Sequence, residues 1–263
     1  MTVIVQNTLP LEMLEEAGLL GMAPVDPHDW LRVDEAYGTQ MQRRLTLLAG
    51  SREAVLWMDP TALDVACEVL AEALTVLPEL GFTVKMQEVI CHDGRVVAID
   101  NEEPLLTLGR LVREDICLLR KHGSEQVLVG AVLCFPASWR LAEKAGRPLV
   151  GIHEPLEEYD DELARRVQRL FDGVRAGRPL WRFNRLWYDD PELHQPRSAQ
   201  RRGGSNLTGW PPPISVRSGN ASCVCQSVRS SSSRSTRTLW PSKSARQKAG
   251  RSGDHSGPTT ICG

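Results

Sequence analysis

Long apolar runs are missing from this chain. No stretch of about 18 consecutive apolar residues occurs, which excludes a membrane-spanning helix, and no secretory leader pattern opens it. The expectation is a soluble, cytoplasmic protein with no membrane partner. Phosphate-cradling signatures are missing too: neither a Walker loop nor a dinucleotide-type glycine loop is present, so a bound nucleotide is not expected in this chain. Cysteine occurs seven times, but never as the two Cys-x-x-Cys pairs that hold zinc. Cys223-Val-Cys225 has no matching His or Cys at metal-site spacing. Cys67, Cys117 and Cys134 fall in apolar periodic segments and read as buried, reduced thiols.

Acidic residues are nearly absent from one end. The net charge of −2 conceals a body, residues 1–196, with 20 Lys and Arg against 32 Asp and Glu, a balance of −12. Residues 197–263 carry 11 basic residues and one acid, a balance of +10. An acidic body argues against nucleic-acid binding by residues 1–196. Beyond Arg197 the periodic apolar pattern stops and fifteen serines, a Pro211-Pro212-Pro213 run and four consecutive serines at 230–233 replace it. That composition predicts disorder. A native basic tail able to touch anionic surfaces is one origin, and a change of reading frame shortly after Pro196 is the other. The expected organisation is an irregular lead-in over 1–29, a folded domain over 30–196 and a low-complexity Ser/Arg-rich tail over 197–263.

The body of 196 residues is long enough to bury a sizeable core. A short helix is expected around 11–17. Tyr37, Met41 and Leu45, spaced by four, predict a helix over 34–48. Residues 55–58 form a short apolar stretch, and Asp59-Pro60 is a cap followed by a first-turn proline. Leu63, Cys67, Leu70, Leu74 and Leu77 then mark one helix face, ended by Pro78. At Phe82, Val84 and Met86 the period becomes two, and a His92-Asp93-Gly94 turn leads into residues 96–99, a hairpin pattern. A brief helix is expected over 105–112, with Arg110 and Arg113 exposed. A second hairpin runs from 116–119, through a turn near 121–124, into 126–135, a strand apolar on both faces. A helix over about 160–176 and a strand over 181–188 complete an α+β pattern, an antiparallel sheet with packed helices.

Residues 134–155 organise the rest. Ser138 is a suitable N-cap for a helix starting at Trp139, Gly146 suits a left-handed cap and Pro148 blocks continuation. His153 follows on a stiff corner between Gly151 and Pro155, well placed to hold a ligand. The sequence Phe-Pro-x-x-Trp, Lys-x-Gly-x-x-Leu and Ile-His-x-Pro within this stretch, with Glu-Asp-Ile-Cys-Leu-Leu at 114–119, Arg182-x-Asn184 and Asp-Pro-Glu-Leu at 190–193, resembles the haem-dependent oxidative N-demethylase family, the large subunit of dimethylamine monooxygenase. The resemblance covers residues 30–196 and is densest from Glu114 onward. It implies a PAS-like sheet enclosing haem b. Similar proteins continue past residue 196 with more strand and an Arg-rich motif, so a lost frame would leave the domain incomplete there.

On this resemblance His153 is the expected axial ligand to the iron, with His194 as runner-up; a histidine hydrogen-bonded within a turn is the plainer alternative. Arg182 and Asn184 share one strand face, where Arg182 would meet haem propionates and Asn184 would orient substrate, unless that face is simply solvated. Lys144 and Arg147 flank a helix C-terminus, pairing with a propionate or with the helix dipole. Trp139 would pack on the porphyrin edge or serve as an ordinary core residue. Glu114 is preferred over its neighbour Asp115 as the acidic group that receives a protonated amine, because adjacent strand residues face opposite ways. His92 and His122 fall in hairpin turns and read as solvated. No Cys-Pro haem-thiolate signature is present.

The implied reaction is oxidation by O2 of an N-methyl group on a small secondary amine such as dimethylamine, giving a primary amine and formaldehyde. Electrons would come from a separate NAD(P)H-dependent flavin/iron–sulfur reductase subunit. The alternatives are a non-catalytic haem- or ligand-binding PAS-like sensor and, if the tail is native, an anion-binding adaptor.

Overall fold

A computed structural model describes residues 22–24, 26–136, 139–149, 169, 172, 180–182, 192–196, 222–228 and 236–242. The expected helix over 11–17 and the Gly151–Pro155 corner lie outside these residues, as do most of the 160–176 segment and residues 183–188.

The larger sheet is antiparallel at every pairing. Its strands are β1 (Met22–Pro24), β2 (Leu56–Met58), β6 (Ile116–His122), β7 (Glu125–Val132), β8 (Leu180–Arg182), β9 (Ser222–Val228) and β10 (Thr236–Ser242), in the order β1-β8-β9-β10-β6-β7-β2. A smaller antiparallel sheet holds β3 (Thr83–Val84), β4 (Glu88–Ile90) and β5 (Val96–Ala98) in sequence order. The helices are α1 (Tyr37–Gly50), α2 (Arg52–Val55), α3 (Leu63–Val76), α4 (Pro104–Leu111) and α5 (Leu141–Lys144). The fold is α+β.

The β6–β7 hairpin forms where the alternation predicts it, turning on Gly123 at φ 63°. It is covered on both faces. Ile116, Leu118, Val129 and Val132 join the main core with α1, α3 and α4, whereas Cys117, Leu119, Leu128, Ala131 and Leu133 face a second cluster with Leu141, Leu149 and Trp139. A register shift between Leu118 and Leu119 pairs Leu118 with Gly130 and Leu119 with Leu128. The bulge explains why Leu128 and Ala131, three residues apart, lie on the same face of a strand whose side chains otherwise alternate.

Several sequence expectations need correction. The α3 helix forms, and Asp59 caps the 3-10 turn Pro60–Ala62 that leads into it, its Oδ1 accepting the Thr61 N–H at 2.8 Å. Its buried face, however, is Val65, Ala66, Val69, Leu70, Ala73 and Val76, and Leu63 is exposed. This helix is apolar over more than half its circumference, so its neighbours rather than its Leu/Cys stripe select the inner face. The strand expected over Phe82 to Met86 stops at Val84, and the hairpin about Gly94 joins β4 to β5; Met86 is exposed. The helix expected from Trp139 is one turn only, starting at Leu141, because Arg140 is extended (φ −113°, ψ 135°). Gly146 does adopt the left-handed conformation, at φ 72°. Arg113 is buried, not exposed. Finally, β9 and β10 stand where composition predicts disorder. Alternating Cys, Val, Thr and Arg supplies β-compatible residues there, and β6 offers an open edge for β10 to pair with.

Candidate functional site

The densest polar arrangement in the described residues lies where α1 crosses the entry to β6 and the exit of β7. Arg44 follows Gln40 and Met41 on the inner face of α1 and is completely buried. A buried guanidinium must have its donors satisfied, and Arg44 does. Its Nε donates to the Gly109 carbonyl at 3.0 Å, one terminal nitrogen to the Glu114 carbonyl at 2.9 Å, and the other to Asp115 Oδ1 at 2.6 Å. The guanidinium also lies 5.9 Å from the centre of the Phe135 ring.

Asp115 immediately precedes β6 and is buried as well. Its Oδ1 accepts the Cys134 N–H at 2.7 Å and its Oδ2 accepts the Phe135 N–H at 2.8 Å. Burial pushes the Asp115 carboxyl above its ordinary value, against the pull of Arg44 and the two N–H groups. The value for Arg44 is raised, since Cys134 and Asp115 outweigh its own burial. One direction favours a neutral acid and the other a charged base. Every group facing the Asp115 oxygens is a donor, so the geometry accommodates only the carboxylate, and we read the pair as ionised.

The carbonyl of Cys134 carries the arrangement onward: it lies 2.8 Å from His194 Nδ1. A carbonyl only accepts, so Nδ1 bears the proton and Nε2 the lone pair. His194 is half-buried and belongs to a docked segment. Glu192 Oε1 accepts both the His194 N–H at 2.9 Å and Arg43 Nε at 3.0 Å, and Leu193 is buried in the main core. Glu192 and Leu193 thus secure His194 against α1. Burial pushes the Cys134 thiol up to about 12, so it is uncharged at neutral pH.

The other sequence-derived candidates fall as follows. Glu114 is buried; it accepts the Arg32 N–H at 3.2 Å and lies 3.7 Å from Arg113 Nε. Arg113 in turn forms a two-pronged pair with Asp34 and donates to Gln40 at 3.2 Å. Lys144 ends α5 and is buried, Arg147 is exposed, and Trp139 is half-buried against the second cluster. Arg182 lies in β8, opposite Met22 of β1. His153 and Asn184 lie outside the described residues. His92 is exposed beside Gly94, 6.1 Å from the Tyr37 ring, and His122 is exposed at the end of β6. Among the described residues no three His, Cys, Asp or Glu side chains converge as a metal-ion site, and no helix is long and apolar enough to cross a membrane.

Sequence reasoning passed over Arg44, Asp115 and the Cys134 carbonyl. One signal was available: a charged residue at an inward position of the α1 pattern needs a buried partner.

No curated protein matches the chain. The profile of one family, described as haem-dependent oxidative N-demethylase, alpha subunit-like, matches residues 21–217. The match takes in the α1, β6 and β7 elements and the His194 segment, and extends past residue 196 into the stretch whose composition differs. This chain therefore belongs to the haem-dependent oxidative N-demethylase, alpha subunit-like family.

Proposed function

We propose that this chain is the haem-binding subunit of an enzyme that oxidatively demethylates a small secondary amine such as dimethylamine, releasing a primary amine and formaldehyde. Family membership over residues 21–217 supports the reaction class. The observation that carries it to particular residues is the anchored imidazole of His194, whose Nδ1 is engaged by the Cys134 carbonyl at 2.8 Å. An iron held by a porphyrin takes a donor from the protein, and a neutral imidazole with its ring fixed through Nδ1 and its lone pair on Nε2 fits that need.

When bound, haem b supplies the iron at which O2 is activated for oxidation of the N-methyl group. In this reading His194 would hold the iron, within a PAS-like enclosure formed by the sheet and its helices. Lys144, Arg147 and Arg182 neutralise propionates, Trp139 supplies apolar contact, and Glu114 with Asn184 orients the amine. The alpha-subunit description fits a multi-component enzyme whose electrons come from a separate NAD(P)H-dependent flavin/iron–sulfur reductase.

Haem titration of the full chain, followed by absorption, tests the ligand beside His194→Ala and His153→Ala. A saturable Soret band that is lost or shifted only in His194→Ala is expected. A loss confined to His153→Ala moves the ligand there, and no saturable band in the parent overturns the haem reading. O2-dependent formaldehyde release with a reductase supplied separates an oxygenase from a haem-binding sensor.

A further inference from the structure

We propose that Asp115 acts on His194 through the Cys134–Phe135 peptide, as a carboxylate–histidine pair relayed by one amide. The Phe135 N–H and the Cys134 C=O belong to the same peptide unit. Asp115 Oδ2 accepts that N–H at 2.8 Å, and that C=O lies 2.8 Å from His194 Nδ1. Peptide resonance couples the two ends: a carboxylate drawing on the N–H shifts electron density to the oxygen, which becomes a better acceptor for Nδ1–H. Hydrogen bonds in series strengthen one another in this way, most of all where water is excluded, and Asp115, Cys134 and Phe135 are all buried. The consequence for His194 is a locked Nδ1–H tautomer and a more electron-rich Nε2, the effect that a directly bonded carboxylate has on a ligating histidine.

Arg44 completes the device. Its guanidinium opposes protonation of the buried Asp115, and main-chain carbonyls from α4 and from the entry to β6 hold it in place. Asp115 and Arg44 are accordingly positioning residues. A purely structural Asp115, present only to satisfy two buried N–H groups, would share every contact but would leave the imidazole unaffected. The use of the relay for haem rests on the reading of His194 as ligand; the relay itself does not.

The test is nitrogen-15 NMR of the histidine side chains in the full, haem-free chain, combined with haem titration. The parent is expected to hold His194 as the Nδ1–H tautomer; an Nε2–H tautomer there overturns the relay whatever any variant does. Asp115→Asn is expected to mix the tautomers and to weaken haem binding about 10- to 100-fold, with the far-UV circular dichroism retained. An Asp115→Asn protein that folds and keeps both the parental tautomer and the parental affinity overturns the proposal. If Asp115→Asn does not fold, the parental Nδ1–H proton shift decides: a position downfield of an ordinary imidazole N–H supports the strengthened hydrogen bond, and an ordinary position overturns it. A Soret band unchanged in His194→Ala overturns the ligand reading alone and leaves the tautomer result standing, so the two failures are distinguishable.

Discussion

Gln126 is completely buried on β7, yet neither its Oε1 nor its Nε2 has a hydrogen-bond partner among the described residues. Strand alternation puts it on the same face as Leu128, within the second apolar cluster. An unpaired buried carboxamide costs about 1–3 kcal/mol relative to a paired one, so Gln126→Leu should raise the midpoint of thermal unfolding. An unchanged or lower midpoint would show that the amide finds a partner in solution. Periodicity cannot expose such a position. Gln126 follows Glu125 at the polar start of β7 and looks like an ordinary polar flank. Arg44 is equally hidden: its spacing says that it points inward, but its partners lie 65 to 71 residues further along. Cys117 and Cys134 are the opposite case, since an apolar thiol inside an apolar strand reads as buried, and both are, whereas Cys67, expected buried on α3, is only half-buried.

Among the elements, the junction of α1, α4 and β7 is the tightest. A Cβ added to Gly109 would come within 2.8 Å of Val132 Cγ2 and 3.2 Å of Leu48 Cδ1. Val132 is β-branched and held in a strand, so it has little rotamer freedom with which to yield. Gly109→Ala should therefore destabilise by about 1–3 kcal/mol, as overpacking does, and it should also disturb the carbonyl that receives Arg44 Nε. Denaturant unfolding measures the first effect, and retention of parental stability would contradict the packing argument.

At the 3-10 turn Pro60–Ala62 that leads into α3, the hydrogen bonds from the Thr61 hydroxyl and N–H lower the Asp59 carboxyl below its ordinary 3.8. A depressed carboxylate contributes stability that is present above that ordinary value and is lost as pH falls through the lower folded value. Asp59→Ala is expected to cost about 0.5–2 kcal/mol at neutral pH, the usual loss for a helix cap. The difference from the parent should shrink in acid. Parallel unfolding curves at pH 7 and pH 3 check it, and an equal difference at both would remove the carboxylate from the explanation. Asp59-Pro60 is local chemistry, which is why this cap was legible. The inner face of α3 was not, because its choice between two apolar stripes depends on α4.

For the whole molecule, the sheet depends on its late strands. In the order β9-β10-β6-β7, β10 covers the edge of β6, with Thr236 to Leu239 paired against Arg120 to Cys117. A chain ended after residue 217, where the family match stops, would leave that edge of β6 bare and open to other chains. Such a truncated protein should self-associate, visibly by light scattering, while keeping its helical signal. A truncated protein that stays monomeric and as stable as the parent would show that β10 contributes nothing to the sheet.

Local physics thus determined a good deal from the sequence alone: the α+β class, the β6–β7 hairpin, the Asp59 cap and the left-handed Gly146. Each depends on neighbouring residues or on a pattern repeated along one element, whereas the family was legible only as a resemblance carried by ordered motifs between residues 114 and 193. Tertiary structure alone decided which side of α3 faces inward, that Arg113 is buried, and that β10 pairs with β6. It alone brought Arg44, Asp115, Cys134 and His194 together, from four segments that span 150 positions of the chain. A hydrogen bond between distant segments leaves no period in the sequence, and it forms only because the intervening elements pack first.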